Sequence, residues 1–197
     1  QMRQLAELLR GESIAVEVVQ VNAPYCPAWI ERLHGVRALF RLVPYLMHLW
    51  RAAGRNDLLH VMANSGWSWH LFAAPAILLA KLRGKAVVVN YHGGEAETFF
   101  KHSFAWIKPI LKQADAIVVP SGFLGQVFAK RGFIAHIVPN IVSLERFTPG
   151  EGRDTAAPHI LVARNLERIY DNASAIRAFA LVRAQHPAAR LTITGSG

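Results

Sequence analysis

Residues 86–94 read Ala86-Val87-Val88-Val89-Asn90-Tyr91-His92-Gly93-Gly94, and residues 114–123 read Ala114-Asp115-Ala116-Ile117-Val118-Val119-Pro120-Ser121-Gly122-Phe123. Each begins as a nearly unbroken run of Val, Ile and Ala and stops at a turn former. A helical pattern follows each, over Thr98–Gln113 and Phe123–Lys130. Continuous apolar runs of this length are the mark of strands covered on both faces, as in parallel sheets.

The same alternation extends in both directions. Strands are expected at Ile14–Val21, Leu58–Met62, Ala86–Tyr91, Ala116–Val119, His136–Val138, His159–Ala163 and Leu191–Thr194. Further helices are expected at Gln1–Leu9, with Gly11 as its stop, and at Trp29–Ala53, Trp67–Leu82 and Asn172–His186. Strands separated by helices predict an α/β protein with a doubly wound parallel, Rossmann-like sheet. Right-handed crossovers would put helices on both faces. A polar, turn-rich stretch, Thr148-Pro149-Gly150-Glu151-Gly152-Arg153-Asp154-Thr155, then divides the chain. Residues 1–149 are read as one Rossmann-like domain and 150–197 as the start of a second.

Ligands of open α/β sheets bind beyond the carboxyl ends of the strands, so the turns after Tyr91, Val119, Val138 and Ala163 carry the candidate chemistry. In His92-Gly93-Gly94-Glu95, the glycines allow close backbone approach, and the histidine offers a hydrogen bond or an acid–base group. The same residues also suit a plain tight turn. Ser121 is a good N-cap for the next helix, and a cap facing a cleft can also serve an anion. Pro139-Asn140 reads as a structured turn between the two domains. Arg164, at the end of a strand, suits a diphosphate or an ion pair with Glu167 or Asp171.

The long helical segment has its own pattern. Ile30, Leu33, Val36, Phe40, Val43, Met47 and Trp50 follow helical spacing. Arg37, Arg41, His48, Arg51 and Arg55 share an arc of roughly 80° at the helical repeat. No acidic residue lies between Glu31 and Asp57. This side is either a basic face for anionic lipid headgroups, contacted through Arg37, Arg41 and Arg51, or the solvated back of a core-facing helix. Pro44 is expected to kink or split it.

Charge agrees with an anionic partner. Of the net +9, sixteen Lys and Arg against nine Asp and Glu fall before residue 151. The lone Cys26 excludes a disulfide framework, which makes a reducing, cytoplasmic setting the default. No run of about 18 uncharged apolar residues exists to span a bilayer. Neither dinucleotide nor Walker glycine patterns occur, and no His-x-x-x-His pair suggests a metal. Basic residues without clustered aromatics or a helix-turn-helix pattern argue against nucleic acid.

The order of turns resembles glycosyltransferase family 4, the retaining enzymes of GT-B fold. The matching pieces are His60-Val61, Val87 to Gly94, and Ala114 to Ser121 with Phe123-Leu124. They continue with Gly132, Val138-Pro139-Asn140-Ile141-Val142, Phe147-Thr148-Pro149, Ile160 to Arg164, Ala178-Phe179 with Pro187, and Leu191 to Gly197. The resemblance implies an acceptor-side domain followed by a donor-side domain that binds a nucleotide sugar. It implies sugar transfer with retention to a glycan or lipid-linked acceptor, with no cofactor and no obligatory metal. It implies His92 beside the reacting sugar, with Gly93, Gly94 and Glu95 along that wall and Ser121 lining it. Asn140 would lie at the hinge-side turn, Arg164 and Arg168 at the donor diphosphate, and Gly195 and Gly197 in the donor loop. Glu167 to Asn172 lacks the lysine that usually follows the arginine, and no two glutamates stand eight apart as in the family's donor domain. The family's glycine-rich first loop is expected before Gln1. Residues 1–197 by themselves are therefore expected to show no turnover. A nucleotide-sugar-binding module without catalysis, and a sugar-nucleotide epimerase of similar shape, are the alternatives.

Overall fold

The computed structural model of the protein describes residues 1–21, 37–147 and 157–196, apart from the side chains of 37–39 and 146. The chain divides into two compact units, Gln1–Val142 and Ser143–Gly197. The polar stretch 148–155 lies outside the described residues.

The first unit carries α1 (Met2–Gly11), α2 (Arg37–Arg55), β1 (Leu58–Ala63), α3 (Ala74–Leu82), β2 (Ala86–Tyr91), α4 (Ala96–Leu111), β3 (Ala116–Val119), α5 (Gly122–Ala129) and β4 (His136–Ile137). The four strands are parallel and ordered β1-β2-β3-β4, with Leu59 opposite Val87 and Val89 opposite Ile117. This is the expected α/β, Rossmann-like sheet. Both runs quoted at the outset are strands at the expected residues.

Burial of the strands differs from expectation. Leu59, Val61, Ala63, Val87, Val89, Tyr91, Ile117 and Val119 are buried, whereas the alternate residues on β1, β2 and β3 are exposed or half-buried. Strand order gives the reason. When each strand adds on the same side of the last, right-handed crossovers bring every linking helix to one face.

That buried face meets a cluster of rings. Trp69, Tyr91, Phe100 and Phe128 are fully buried. Phe100 and Phe128 stand edge to face at 5.0 Å between centroids, and Tyr91 lies 5.3 Å from Phe128 and 5.6 Å from Phe100. At the amino edge of the sheet Asp115 fastens β2 to β3. Its carboxylate accepts from Val87 N at 2.6 Å and pairs with Lys81, while its own N–H donates to Val87 O.

Several local expectations are corrected. Residues 14–20 form no ladder. Arg10 donates to Val16 O at 2.8 Å, and Glu17 is held by Arg55 and Asn56 at the end of α2, so the segment is fixed by side chains instead. The left-handed residue after α1 is Ser13, at φ 63°, and Gly11 remains helical. Of the segment Trp29–Ala53, residues 29–36 lie outside the described residues. α2 runs unbroken through Pro44, which is exposed, so the carbonyl left without an N–H partner can turn to water. Its inner side is Tyr45, Leu49, Ala52 and Ala53, not the periodic apolar series of the sequence. The helix expected over Trp67–Leu82 forms over those residues, with a π turn, Trp69–Ala73, inside it ahead of α3.

The second unit contains β5 (His159–Ala163), α6 (Asn172–Gln185) and β6 (Arg190–Thr194), the strands pairing in parallel with Leu161 opposite Thr192. Among its described residues only Ala189 is buried. Two strands and one helix have too few faces to enclose a core.

Phe100→Ala is expected to lower the stability of the first unit by about 3–5 kcal/mol, because the surrounding rings cannot close the space it leaves. Urea denaturation followed by near-ultraviolet circular dichroism measures this.

Candidate functional site

Parallel strands present all their carboxyl ends at one edge. In the first unit that edge gathers the turns Asn64-Ser65-Gly66, His92-Gly93-Gly94, Pro120-Ser121 and Val138-Pro139-Asn140, which follow β1 to β4 in order. The sheet therefore brings together His92, Gly93, Gly94, Glu95, Ser121 and Asn140 as candidates.

His92 prolongs the β1–β2 ladder by one bond, its N–H donating to Ala63 O at 2.8 Å. The ring is half-buried, and its Nε2 is buried without a hydrogen-bond partner. Burial is the main cause that pushes its pKa below the ordinary 6.5. On β1 the pKa of His60 is lowered too, by burial first and by the nearby His92 second. At neutral pH His92 is thus a neutral imidazole with one ring nitrogen unspent, suited to hydrogen-bond a ligand or take up a proton.

Gly93 has a packing reason. A Cβ there would run into the Ser65 hydroxyl, and would lie 2.7 Å from the Tyr91 hydroxyl and 2.8 Å from Ser65 N. Those two hydroxyls are hydrogen-bonded to each other at 2.8 Å. Gly94, by contrast, faces open space. Glu95 precedes α4 as its N-cap residue without a side-chain capping bond and is exposed.

Ser121 caps α5, its Oγ accepting from Leu124 N at 3.4 Å. Asn140 is exposed, and next to it Ile141 exchanges hydrogen bonds with the Gln1 side chain, Ile141 N donating to Gln1 Oε1 at 3.0 Å. Among the described residues no group of three His, Cys, Asp or Glu could hold a metal ion.

The turn after β1 escaped the sequence reading. Ser65 braces Gly93 from below, and Trp69 and Tyr91 connect that brace to the ring cluster. The signal was present, since Asn64-Ser65-Gly66 is a turn former directly after a predicted strand.

In the second unit Arg164 follows β5, and its N–H donates to Thr194 O at 3.0 Å. Its guanidinium lies over the Tyr170 ring at 5.4 Å. Neither Glu167 nor Asp171 pairs with it; Glu167 accepts from Asn165, and Asp171 caps α6 by accepting from Ser174 N. Arg168 opens a 3-10 turn, Arg168–Tyr170, and is exposed. A Cβ on Gly195 would collide with Arg164 O and lie 2.7 Å from Arg164 C, so the turns after β5 and β6 touch backbone to backbone. Gly197 lies outside the described residues.

Gly93→Ala is expected to destabilise the first unit by about 1–3 kcal/mol, because backbone at Ser65 must move. Gly94→Ala is expected to stay within about 0.5 kcal/mol. Chemical denaturation of the two variants separates them.

The lowered pKa of His92 means that the folded chain binds this proton more weakly than the unfolded chain. Its contribution to stability is present above the ordinary 6.5 and is lost as pH falls through that value towards the lowered one. Urea midpoints between about pH 8 and pH 5 are expected to fall on acidification, and to fall less in His92→Gln, with His60 supplying the remainder.

The family model of Glycosyltransferase Family 4 matches residues 2–146, which contain the whole sheet and all four turns of the first unit. No curated protein matches the chain. The match takes in nearly three quarters of the sequence and includes the turn that holds His92, so the chain belongs to Glycosyltransferase Family 4.

Proposed function

We propose that the chain serves a retaining, hexosyl-type glycosyltransferase that moves a sugar from a nucleotide-sugar donor to a lipid-linked or polysaccharide acceptor. The observation that carries this reading is His92: a neutral imidazole at the carboxyl edge of the sheet, with a buried ring nitrogen that no protein group uses. In the proposed reaction the imidazole hydrogen-bonds the sugar being transferred. The bond from its anomeric carbon to the donor diphosphate breaks while a bond to the acceptor oxygen forms, and the proton of that hydroxyl passes to the departing diphosphate.

Negative charge builds on the leaving diphosphate, and its stabilisation is the main electrostatic task of such a transfer. Arg164 is the residue proposed for it. Stacking on Tyr170 limits where its guanidinium can go. Arg168 is proposed as the second cation in place of the lysine that the sequence lacks. Gly195 supports both by letting the β5 and β6 turns meet. In the first unit Ser121 and Asn140 are proposed for the acceptor side of the edge that carries His92, and the proposal needs no metal or cofactor.

The test is a transfer assay on the full-length polypeptide with a panel of nucleotide sugars. His92→Ala and Arg164→Ala are each expected to lower kcat/KM by about a hundredfold or more. Full activity in both variants overturns the assignment. Residues 1–197 alone are expected to show no transfer, because the paired glutamates of the family are not among them.

A further inference from the structure

α2 is amphipathic in an unexpected sense. Tyr45, Leu49, Ala52 and Ala53 are buried, and Tyr45 packs edge to face on Phe72. Phe40, Val43, Met47 and Trp50 nonetheless stand outward, at 47%, 56%, 49% and 42% exposure. At about 100° per residue these four fall within roughly 80° of arc, on the side away from the buried set.

Beside that apolar stripe runs a basic one. Pro44, Arg51, Arg55, His48 and Arg41 occupy the next roughly 80° of the helix. Arg83, just past the end of α3, lays its guanidinium 4.3 Å over the Trp50 ring and adds another positive charge to the same side. α2 contains no acidic residue, and of the stripe Arg55 is paired with Glu17 from outside the helix. Among the described residues no helix is long and apolar enough to cross a membrane, so a surface of this kind can lie on a bilayer but not span it.

We propose that the outward side of α2 is a docking surface for an anionic lipid bilayer. Phe40, Val43, Met47 and Trp50 enter the boundary between headgroups and acyl chains, while Arg51, Arg83 and His48 meet the lipid phosphates. The helix lies in the plane of the interface for about 28 Å of its length. Charge decides between lipid and a second copy of the chain as the occupant. A two-fold contact through this stripe would bring two rows of arginines together in a chain of net charge +9, whereas anionic headgroups complement both stripes at once. The surface uses no residue assigned to sugar transfer.

Flotation of the chain with vesicles tests this, using phosphatidylcholine alone and phosphatidylcholine with about 30% phosphatidylglycerol. Binding is expected only to the anionic vesicles. Val43→Ser/Met47→Ser and Arg51→Glu are each expected to weaken it about tenfold, with circular dichroism and thermal midpoint unchanged because none of these side chains reaches the core. Absence of binding to anionic vesicles, or equal binding by wild type and both variants, overturns the proposal. So does a concentration-dependent dimer that the double variant abolishes while the wild type ignores vesicles, which would make the stripe an interface between copies. No donor is present in the measurement, so its failure leaves the transfer reading standing. Loss of the transfer reading likewise leaves this surface standing.

Discussion

The burial of Tyr91 is the constraint on which the rest of the first unit depends. Its ring is the last residue of β2 and is wedged among Trp69, Phe100 and Phe128, which come from the π turn, α4 and α5. One side chain thus joins three linking segments to the sheet. The ring leaves water at little loss of rotamer freedom, and its pairings favour edge-on geometry over any sliding stack. Its hydroxyl is the single polar end of that wedge, and Ser65 takes it.

From that contact the candidate site follows. With Tyr91 fixed, the next residue must leave the sheet where the ladder ends, and His92 does so after one more bond to Ala63. Gly93 then fits over the Ser65–Tyr91 pair because it has no side chain. The position of the imidazole is therefore a product of core packing one residue upstream.

Strands, turns and most candidates were legible because each rests on local chemistry. Val87 to Tyr91 and Ala116 to Val119 are β-branched runs with a turn former behind them, and Ser121 is a cap by residue type and position. What escaped depends on partners distant in sequence. Nothing in Trp69-His70-Leu71-Phe72-Ala73 distinguishes a π turn from an ordinary helical one; the wider turn shows only where Ala74 N reaches Trp69 O. Helical spacing revealed that α2 has an apolar stripe but not which way it faces. Tyr45, Leu49 and two alanines face the core, and small residues let the helix come close to its neighbour α3. The Ile14–Val21 run had strand composition, but whether a strand forms depends on a neighbour to pair with, and side chains of α1 and α2 hold that segment in another way.

The contact at Gly195 makes the two turns of the second unit a single inherited object. The backbone of Arg164 and that of Gly195 come from positions thirty-one residues apart in the chain, yet neither can change shape without the other. A substitution that repositions the arginine must be compatible with a turn on a different strand. A side chain at 195 would displace the arginine without touching its charge. Change at position 164 of this chain is thus constrained twice, once by what the guanidinium meets and once by a glycine that meets nothing but backbone.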